Sequence, residues 1–194
     1  MEDLRYISFP PRLSAIRKET TDIQFGMASE PLVGTLLRTL AASKPAGQCL
    51  ELGTGTGIAT AWLLSGLDQN STLVSVDNDA AVQQVARKSL GEDARLTLVT
   101  SGALEYLRNQ APASFDLVFA DAMPGKYDGL DEALAVIKPG GFYVIDDMLP
   151  QPNWPDGHAE KIPLLMQQLA EKKSFEILPL VWASGVVIAV RKNL

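Results

Sequence analysis

The architecture of this chain follows from one segment, Glu51-Leu52-Gly53-Thr54-Gly55-Thr56-Gly57, which comes directly after the apolar run at 48–50. Glycine has no Cβ, so a strand that ends in this segment can turn tightly and bring its backbone close to a ligand. A turn that binds dinucleotides has the pattern Gly-x-Gly-x-x-Gly, but the third position after Gly55 is Ile58. The glycine spacing therefore predicts a nucleoside site and argues against a pyrophosphate site.

An acidic residue precedes the three alternating glycines, which gives the pattern acid-x-Gly-x-Gly-x-Gly. In this pattern the chain resembles the first motif of class I S-adenosylmethionine-dependent methyltransferases. The resemblance implies a Rossmann-like α/β fold and S-adenosylmethionine as the cofactor. It also implies that Glu51 faces the amino-acid end of the cofactor, and that the cofactor is bound around Gly53, Thr54, Gly55 and Gly57.

Apolar runs of strand length alternate with helical patterns, as in a mostly parallel sheet with helices on both faces. Strands are predicted at 48–52, 72–77, 95–99, 115–121, 141–146, 174–180 and 185–191. Only four residues separate the last two strands, too few for a helical crossover, so they are predicted to form an antiparallel hairpin. A doubly wound, seven-stranded sheet closed by such a hairpin is the order of class I methyltransferases.

Helices are predicted to fill most gaps between the strands. Ser29 is a candidate N-cap for a helix that leads toward the first strand. Further helices are predicted at 59–67, 79–90 and 131–137, the last ending at Lys138-Pro139-Gly140-Gly141. The chain is interpreted as one domain over 1–194, with an N-terminal arm at 1–28 and a Rossmann-like core at 29–194.

The composition of the chain limits which binding partners and which cellular compartment are expected. The 194 residues carry a net charge of −6, with Lys and Arg scattered along the chain, so nucleic acid is not an expected substrate. There is no apolar run long enough to cross a bilayer and no secretory signal pattern, so we expect no membrane association and a cytoplasmic protein. The single cysteine, Cys49, lies in an apolar strand and is expected to be a small buried hydrophobe.

Polar groups are predicted at two further strand ends. Asp77 ends the second strand, where its carboxylate can accept hydrogen bonds from both hydroxyls of a ribose, and Asn78 follows it. Asp79 is the better candidate for a helix N-cap. The segment 101–107 resembles the family segment that contacts adenine, through Gly102 and Ala103, although Gly102 stands where an acidic residue is frequent. Residues 26–28 correspond loosely to the segment that covers the methionyl part.

Acidic residues follow the fourth and fifth predicted strands, where the carboxyl ends of strands line the ligand crevice of an α/β sheet. The sequence around them, over about residues 26–150, resembles the cation-dependent O-methyltransferases of the catechol and caffeoyl-coenzyme A type. The resemblance implies that Asp121, Asp146 and Asp147 are metal ligands, with Asp147 in place of the family's Asn. Oxygen ligands suit Mg²⁺ or another divalent cation. Asp121 is also expected near the sulfonium of the cofactor.

The family's catalytic lysine position is occupied by Pro124 in this chain, whereas Tyr127 matches the family pattern. Lys126 is therefore the candidate for removing a proton from an acceptor hydroxyl. The alternative is a solvated lysine at the start of a helix. Residues 151–158 are predicted to form a loop at the mouth of the crevice, where Trp154 could stack on a flat acceptor and His158 could act as a base. A packing tryptophan and a surface or helix-start histidine are the alternatives.

The predicted function is methyl transfer from S-adenosylmethionine to an oxygen of a small-molecule acceptor. One alternative is a divergent, non-catalytic protein that binds the cofactor. Another is an NAD-dependent oxidoreductase, which predicts a glycine at position 58. The segment Asp121-Ala122-Met123-Pro124 does not match the Asn/Asp-Pro-Pro-aromatic segment of base-directed methyltransferases. Family members are often dimers, so the resemblance leaves a homodimer open.

Overall fold

The computed structural model describes residues 3–193, and these are organised around one seven-stranded sheet. Its strands are β1 (Gln48–Leu52), β2 (Thr72–Asp77), β3 (Leu96–Thr100), β4 (Phe115–Ala120), β5 (Ile137–Ile145), β6 (Phe175–Leu180) and β7 (Val186–Arg191). Their order across the sheet is β3-β2-β1-β4-β5-β7-β6. Strands β1 to β5 run parallel, whereas β7 is antiparallel to both β5 and β6. The predicted α/β class and the C-terminal antiparallel hairpin are confirmed.

Helices cover both faces of this sheet. They are α1 (Leu13–Asp22), α2 (Pro31–Ala42), α3 (Ile58–Gly66), α4 (Ala80–Leu90), α5 (Ala103–Arg108), α6 (Leu130–Ala135) and α7 (His158–Ala170), and a short 3₁₀ helix spans Asp3–Tyr6. Helices α1 to α4 contribute to one buried apolar cluster, and α5 to α7 contribute to a second cluster. None of the helices among residues 3–193 combines the length and the apolar character needed to cross a bilayer.

Strand β1 shows how the sheet separates these two clusters. Side chains alternate between the faces of a strand, so Leu50 and Leu52 pack toward α5 to α7 while Cys49 packs toward α1 to α4. All three are almost fully buried, as expected for a strand in the middle of a sheet that is covered on both sides. Burial raises the pKa of the Cys49 thiol to about 12, which keeps it a neutral, apolar group.

The predicted N-cap of helix α2 is wrong. Helix α2 begins at Pro31, its cap residue Glu30 makes no side-chain capping bond, and the predicted cap Ser29 instead donates a hydrogen bond to Asp121 Oδ2 at 3.1 Å. Proline can occupy this first helical position because the amide it lacks would have no partner within the helix.

The fifth strand begins earlier than predicted, at Ile137. Phe115 pairs with Ile137 and Leu117 pairs with Phe142, so the segment 138–141 bulges out of an otherwise continuous ladder. Helix α6 accordingly ends at Ala135. The Pro-Gly-Gly segment does lie beyond the end of the helix, as predicted. It lies inside a strand, because β5 pairs with β4 on both sides of the bulge.

The sheet order places the candidate residues at one edge. Strand β1 lies between β2 and β4: the chain adds β2 and β3 on one side of β1 and then crosses to add β4 and β5 on the other side. A crevice forms where the order reverses, outside the carboxyl ends of the strands. The segments that follow β1, β2, β4 and β5 therefore all open into the same volume.

Candidate functional site

A cavity of about 430 Å³ lies at the carboxyl ends of these strands. Ligand sites in proteins have volumes of this order. The predicted cofactor residues that line it are Gly53, Thr54, Gly55, Asp77, Asn78, Gly102, Ala103 and Asp121. Lys126, Tyr127 and Asp147 line it as well, together with Trp154 and His158 from the segment after β5. The cavity is therefore continuous from the glycine turn to the acidic residues.

The glycine turn can form only because its glycines lack side chains. Gly53 has φ of +103°, and a Cβ there would lie 2.9 Å from the carbonyl oxygen of Asp121. Gly57 has φ of +91°, and its Cβ would lie 2.7 Å from the Cβ of Ala86 in α4. The turn is thus pressed between the end of β4 and helix α4, and its backbone forms part of the cavity wall.

Asp77 joins this turn to the end of β2. Its Oδ2 accepts a hydrogen bond from the amide of Gly55 at 2.7 Å, and its Oδ1 accepts one from the amide of Asp79 at 2.9 Å. Asp79 caps α4, as predicted, by accepting from the amides of Ala81 and Val82. Each carboxylate oxygen of Asp77 has further acceptor capacity, so the side chain can also bind hydroxyl groups in the cavity.

Glu51 and Gly57 lie outside the cavity wall. The Glu51 side chain is fully buried beneath the turn, where its Oε2 accepts hydrogen bonds from Thr60 Oγ1 at 2.5 Å and from Ser75 Oγ. Its Oε1 has no hydrogen-bond partner within residues 3–193. Strand alternation explains this position, because Glu51 points to the face covered by α3. Burial raises the pKa of Glu51 to about 8, so the carboxyl group is mostly neutral at pH 7.

Lys126 is buried at the other end of the cavity, with 4% of its surface exposed. Its Nζ donates a hydrogen bond to the backbone oxygen of Asp146 at 2.5 Å. The residue belongs to the segment between β4 and α6, not to a helix start, so the alternative reading of a solvated lysine is wrong. The sequence offered no signal for this burial, because a lysine two positions from its expected place looks like a surface residue.

The pKa values of Lys126 and of three nearby carboxyl groups are shifted by burial and by the charges of these four groups. Burial raises the pKa of Asp121 well above its usual range, Asp146 raises it further, and Lys126 opposes the shift. Burial likewise raises the pKa of Asp146 to about 6 and raises that of Asp147. Burial lowers the pKa of Lys126, while the carboxylates act in the opposite direction. One cation therefore faces several acids in a poorly solvated volume.

Asp146 uses its carboxylate to hold the chain together. Its Oδ1 accepts hydrogen bonds from Ser184 Oγ and from the amide of Asp147, the latter at 2.8 Å. Asp147 then adopts a left-handed conformation with φ of +56°, and the chain continues alongside the 184–185 turn. Ser184 was not predicted as part of this site, since nothing local marks a serine that meets an acid 38 residues away.

The predicted metal ligands Asp121, Asp146 and Asp147 do not fit a divalent cation in this arrangement. Among residues 3–193, no group of three or more Asp, Glu, His or Cys side chains is placed to hold a metal ion. Asp146 Oδ1 already accepts two hydrogen bonds from its own chain, and the positive charge of Lys126 acts on the same carboxyl groups. The side chains of this chain are therefore the groups that can take part in chemistry at this site.

Aromatic groups form the mouth of the cavity. Tyr127 Oη and His158 Nε2 lie 3.0 Å apart, and the Trp154 ring contacts the His158 ring at a tilt of 37°, with centroids 4.5 Å apart. His158 begins α7, as one alternative predicted, but it is buried and not a surface residue. Asn153 Nδ2 donates to the backbone oxygen of Gly26 at 3.0 Å. The 151–157 segment is thus tied to the segment that precedes α2.

Comparison with known proteins identifies similar chains. The pattern of a protein family described as methyltransferase domain matches residues 50–148. A protein of Mycolicibacterium vanbaalenii named "Putative O-methyltransferase" is 35% identical over 138 residues, which cover 69% of this chain and 61% of that protein. The chain thus spans about three fifths of the length of this curated relative.

Solved structures share the fold over nearly the whole chain. The O-methyltransferase TomG of Streptomyces achromogenes, solved in complex with SAM, has a TM-score of 0.81 at 23% identity, covering 97% of this chain and 92% of TomG. The O-methyltransferase from Bacillus cereus, solved in complex with SAH, has a TM-score of 0.81 at 20% identity, covering 96% and 93%. At these identities the likeness concerns the fold.

Proposed function

We propose that this chain, which belongs to the family of methyltransferase domains, transfers the methyl group of S-adenosylmethionine to an oxygen of a small molecule. The observation that carries the proposal is the Gly55–Asp77 hydrogen bond, which fixes a carboxylate beside an exposed glycine backbone in the wall of the cavity. The O-methyltransferase names of the relatives support oxygen as the acceptor atom.

The cofactor would lie along the turn. Asp77 would accept hydrogen bonds from the ribose hydroxyls beside Asn78, and the adenine would lie against Gly102 and Ala103. The methionyl part would follow the backbone of Gly53 and Thr54. Glu51 and Gly57 lie beneath the wall of the cavity, where Glu51 supports the turn and Gly57 allows the turn to pack on α4.

Charge favours a sulfonium over a pyrophosphate in this cavity. Asp77 and Asp121 stand at its two ends, where carboxylates attract a cationic ligand and repel phosphates. Asp121 lies beyond Gly53, in the position where it would face the sulfonium. This arrangement disfavours an NAD-dependent oxidoreductase, in agreement with Ile58 at the third glycine position.

The methyl group of a sulfonium is already activated, so the protein must align the acceptor and accept its proton. In the transfer the sulfur–carbon bond breaks as the oxygen–carbon bond forms, which leaves S-adenosylhomocysteine and a methyl ether. Lys126 borders this volume, and its ammonium would stabilise the oxygen anion that forms as the acceptor loses its proton.

His158 is positioned to take that proton by way of Tyr127. Burial lowers the pKa of His158, with smaller contributions in the same direction from Lys126 and Lys161, so its ring is neutral near pH 7 and can accept a proton. Its Nε2 lies next to the Tyr127 hydroxyl, which lines the cavity. The aromatic wall of Tyr127, His158 and Trp154 suits a flat acceptor, and we propose a phenol.

Cofactor binding is tested first by calorimetry with S-adenosylhomocysteine. We expect saturable binding to the parent and at least about tenfold weaker binding to Asp77→Asn, because a charged acceptor is replaced by a neutral one. Asp131→Asn, which changes an acid on the surface of α6, is the matched control and should bind as the parent does. Equal affinities for all three proteins, or binding of NAD, would contradict the proposal.

The reaction is tested by release of S-adenosylhomocysteine with a panel of catechols and other phenols. Methylated product identified by mass spectrometry is the expected result. Binding of the cofactor without turnover of any acceptor would favour a non-catalytic protein that binds the cofactor. A homodimer and a cytoplasmic location stay predictions, and light scattering coupled to size-exclusion chromatography measures the first.

A further inference from the structure

Lys126 is the least expected residue in the cavity, since a lysine is almost never buried unless it is paired. Its ammonium is held by the backbone oxygen of Asp146 and by the charges of Asp121, Asp146 and Asp147. These are the positions at which the sequence predicted ligands of a divalent cation. The charge of a buried cation that belongs to this chain therefore acts on all three acids.

The segment around Lys126 is built to hold this side chain inward. The amides of Gly125 and Tyr127 donate to the backbone oxygens of Asp128 and Met123, at 2.6 Å and 2.9 Å. Tyr143 Oη, from the middle of β5, donates to the backbone oxygen of Gly125. Gly125 has φ of +90°, and a Cβ there would collide with Leu52 at 2.4 Å. The turn is thus held against β1 and β5 at Gly125, the residue before the lysine.

We propose that the Lys126 ammonium takes the place of a divalent cation in this site, so that the protein excludes metal ions from the three acids and works without them. An ammonium repels a second cation, and the Lys126 ammonium already donates a hydrogen bond to the backbone oxygen of Asp146. The statement about catalysis rests on the proposed function, whereas the statement about metal exclusion does not.

Removing the positive charge should therefore create a metal site. In Lys126→Met the three acids lose their counter-charge, so their side chains can turn toward a shared cation, and oxygen ligands of this kind bind Mn²⁺ and Mg²⁺. Lys126→Arg keeps a cation there and is the matched control. Lys126→Gln, a neutral and polar replacement, serves as a second test in case the methionine variant does not fold.

The first experiment is titration of each folded protein with Mn²⁺ in a calorimeter, with circular dichroism as the check of folding. We expect saturable binding to Lys126→Met and Lys126→Gln, and none to the parent or to Lys126→Arg. Adding Asp146→Asn to Lys126→Met should weaken the new site by about tenfold or more, the effect of losing a group that supports metal binding. Saturable binding of Mn²⁺ to the parent would overturn the proposal, as would a folded neutral variant that binds none.

The second experiment measures methyl transfer by the parent before and after treatment with a chelator. We expect rates that agree within about twofold, because the cation that stabilises the acceptor oxygen is part of the chain. Loss of activity that returns with Mg²⁺ would overturn the proposal. If no acceptor is methylated but the neutral variants gain a Mn²⁺ site, the proposed function fails while the exclusion of metal by Lys126 stands.

Discussion

The two ends of the cavity are built in different ways. The turn end is formed by Gly53, Thr54, Gly55 and Asp77. It owes its shape to backbone conformation and to the Asp77 carboxylate, which accepts a hydrogen bond from the amide of Gly55. The acidic end, formed by Asp121, Lys126, Asp146 and Asp147, owes its properties to side chains that approach from separate segments. The turn end is thus a local structure, whereas the acidic end exists only in the folded chain.

Each end also contains one buried ionisable group, and the two groups are stabilised in different ways. Glu51 lies beneath the turn end and is accommodated mainly by staying neutral, with hydroxyl donors on one oxygen. Lys126 in the acidic end is accommodated by opposite charges. The first arrangement needs a proton and the second needs partners, so the two ends should respond differently to pH and to substitution.

The largest effect is expected from Glu51→Gln at alkaline pH. Because the pKa of Glu51 is about 8 in the folded protein and near 4.5 in the unfolded chain, its stabilising contribution is complete below pH 4.5 and is lost as pH rises toward 8. Glutamine carries no such charge, so relative to the parent the variant should gain on the order of 3 kcal/mol between pH 5 and pH 9.

Urea unfolding at several pH values measures this difference. The surface variant Glu92→Gln is the control and should differ from the parent by less than about 0.5 kcal/mol. A difference between Glu51→Gln and the parent that does not change with pH would show that the turn end does not rest on a neutral carboxyl group.

A second test perturbs the backbone of the turn. Gly57→Ala should lower the free energy of unfolding by about 2 to 4 kcal/mol, since it combines an unfavourable positive φ with a contact of 2.7 Å to Ala86. Gly102→Ala is the matched control, because that residue has φ of −64° and open space around a Cβ. Thermal melting of both variants decides the matter, and equal losses would mean that the turn is not under steric constraint.

The mouth of the acidic end is probed by Tyr127→Phe. Losing the hydrogen bond between Tyr127 and His158 should cost about 1 kcal/mol of stability and reduce kcat for methyl transfer, because the path of the proton to His158 is interrupted. Tyr106→Phe, on the outer helix α5, removes a hydroxyl away from the cavity and should leave kcat unchanged. If the two variants have the same kcat, Tyr127 has no part in proton transfer.

The smallest effect concerns Ser29, which reaches from the segment before α2 to Asp121. Ser29→Ala should cost about 0.5 kcal/mol, the value of one partly exposed hydrogen bond. Ser29→Asp separates the two interpretations of this residue, since aspartate is a good helix cap but would repel Asp121. We expect the aspartate variant to be the less stable of the two in chemical unfolding, and a gain over the parent would restore the predicted cap.

Much of the turn end could be predicted from the sequence. The order of the strands, the glycine turn, Asp77 at the end of β2 and Asp79 as the cap of α4 all depend on residues close in sequence. The resemblance to class I methyltransferases, which rests first on residues 51–57, is confirmed by the match to the methyltransferase-domain family. The side of the strand on which Glu51 lies was the part of this end that local reasoning missed.

What the sequence alone determined is therefore the α/β architecture, the family and the end of the sheet at which the cavity lies, because periodicity, glycine conformation and strand ends obey local rules. Only the tertiary structure decided that Lys126 is buried, that Ser184 holds Asp146, that Ser29 meets Asp121 and that Glu51 lies beneath the turn. These contacts join segments far apart in the chain. Their charges acquire altered pKa values only when packing removes water from around them.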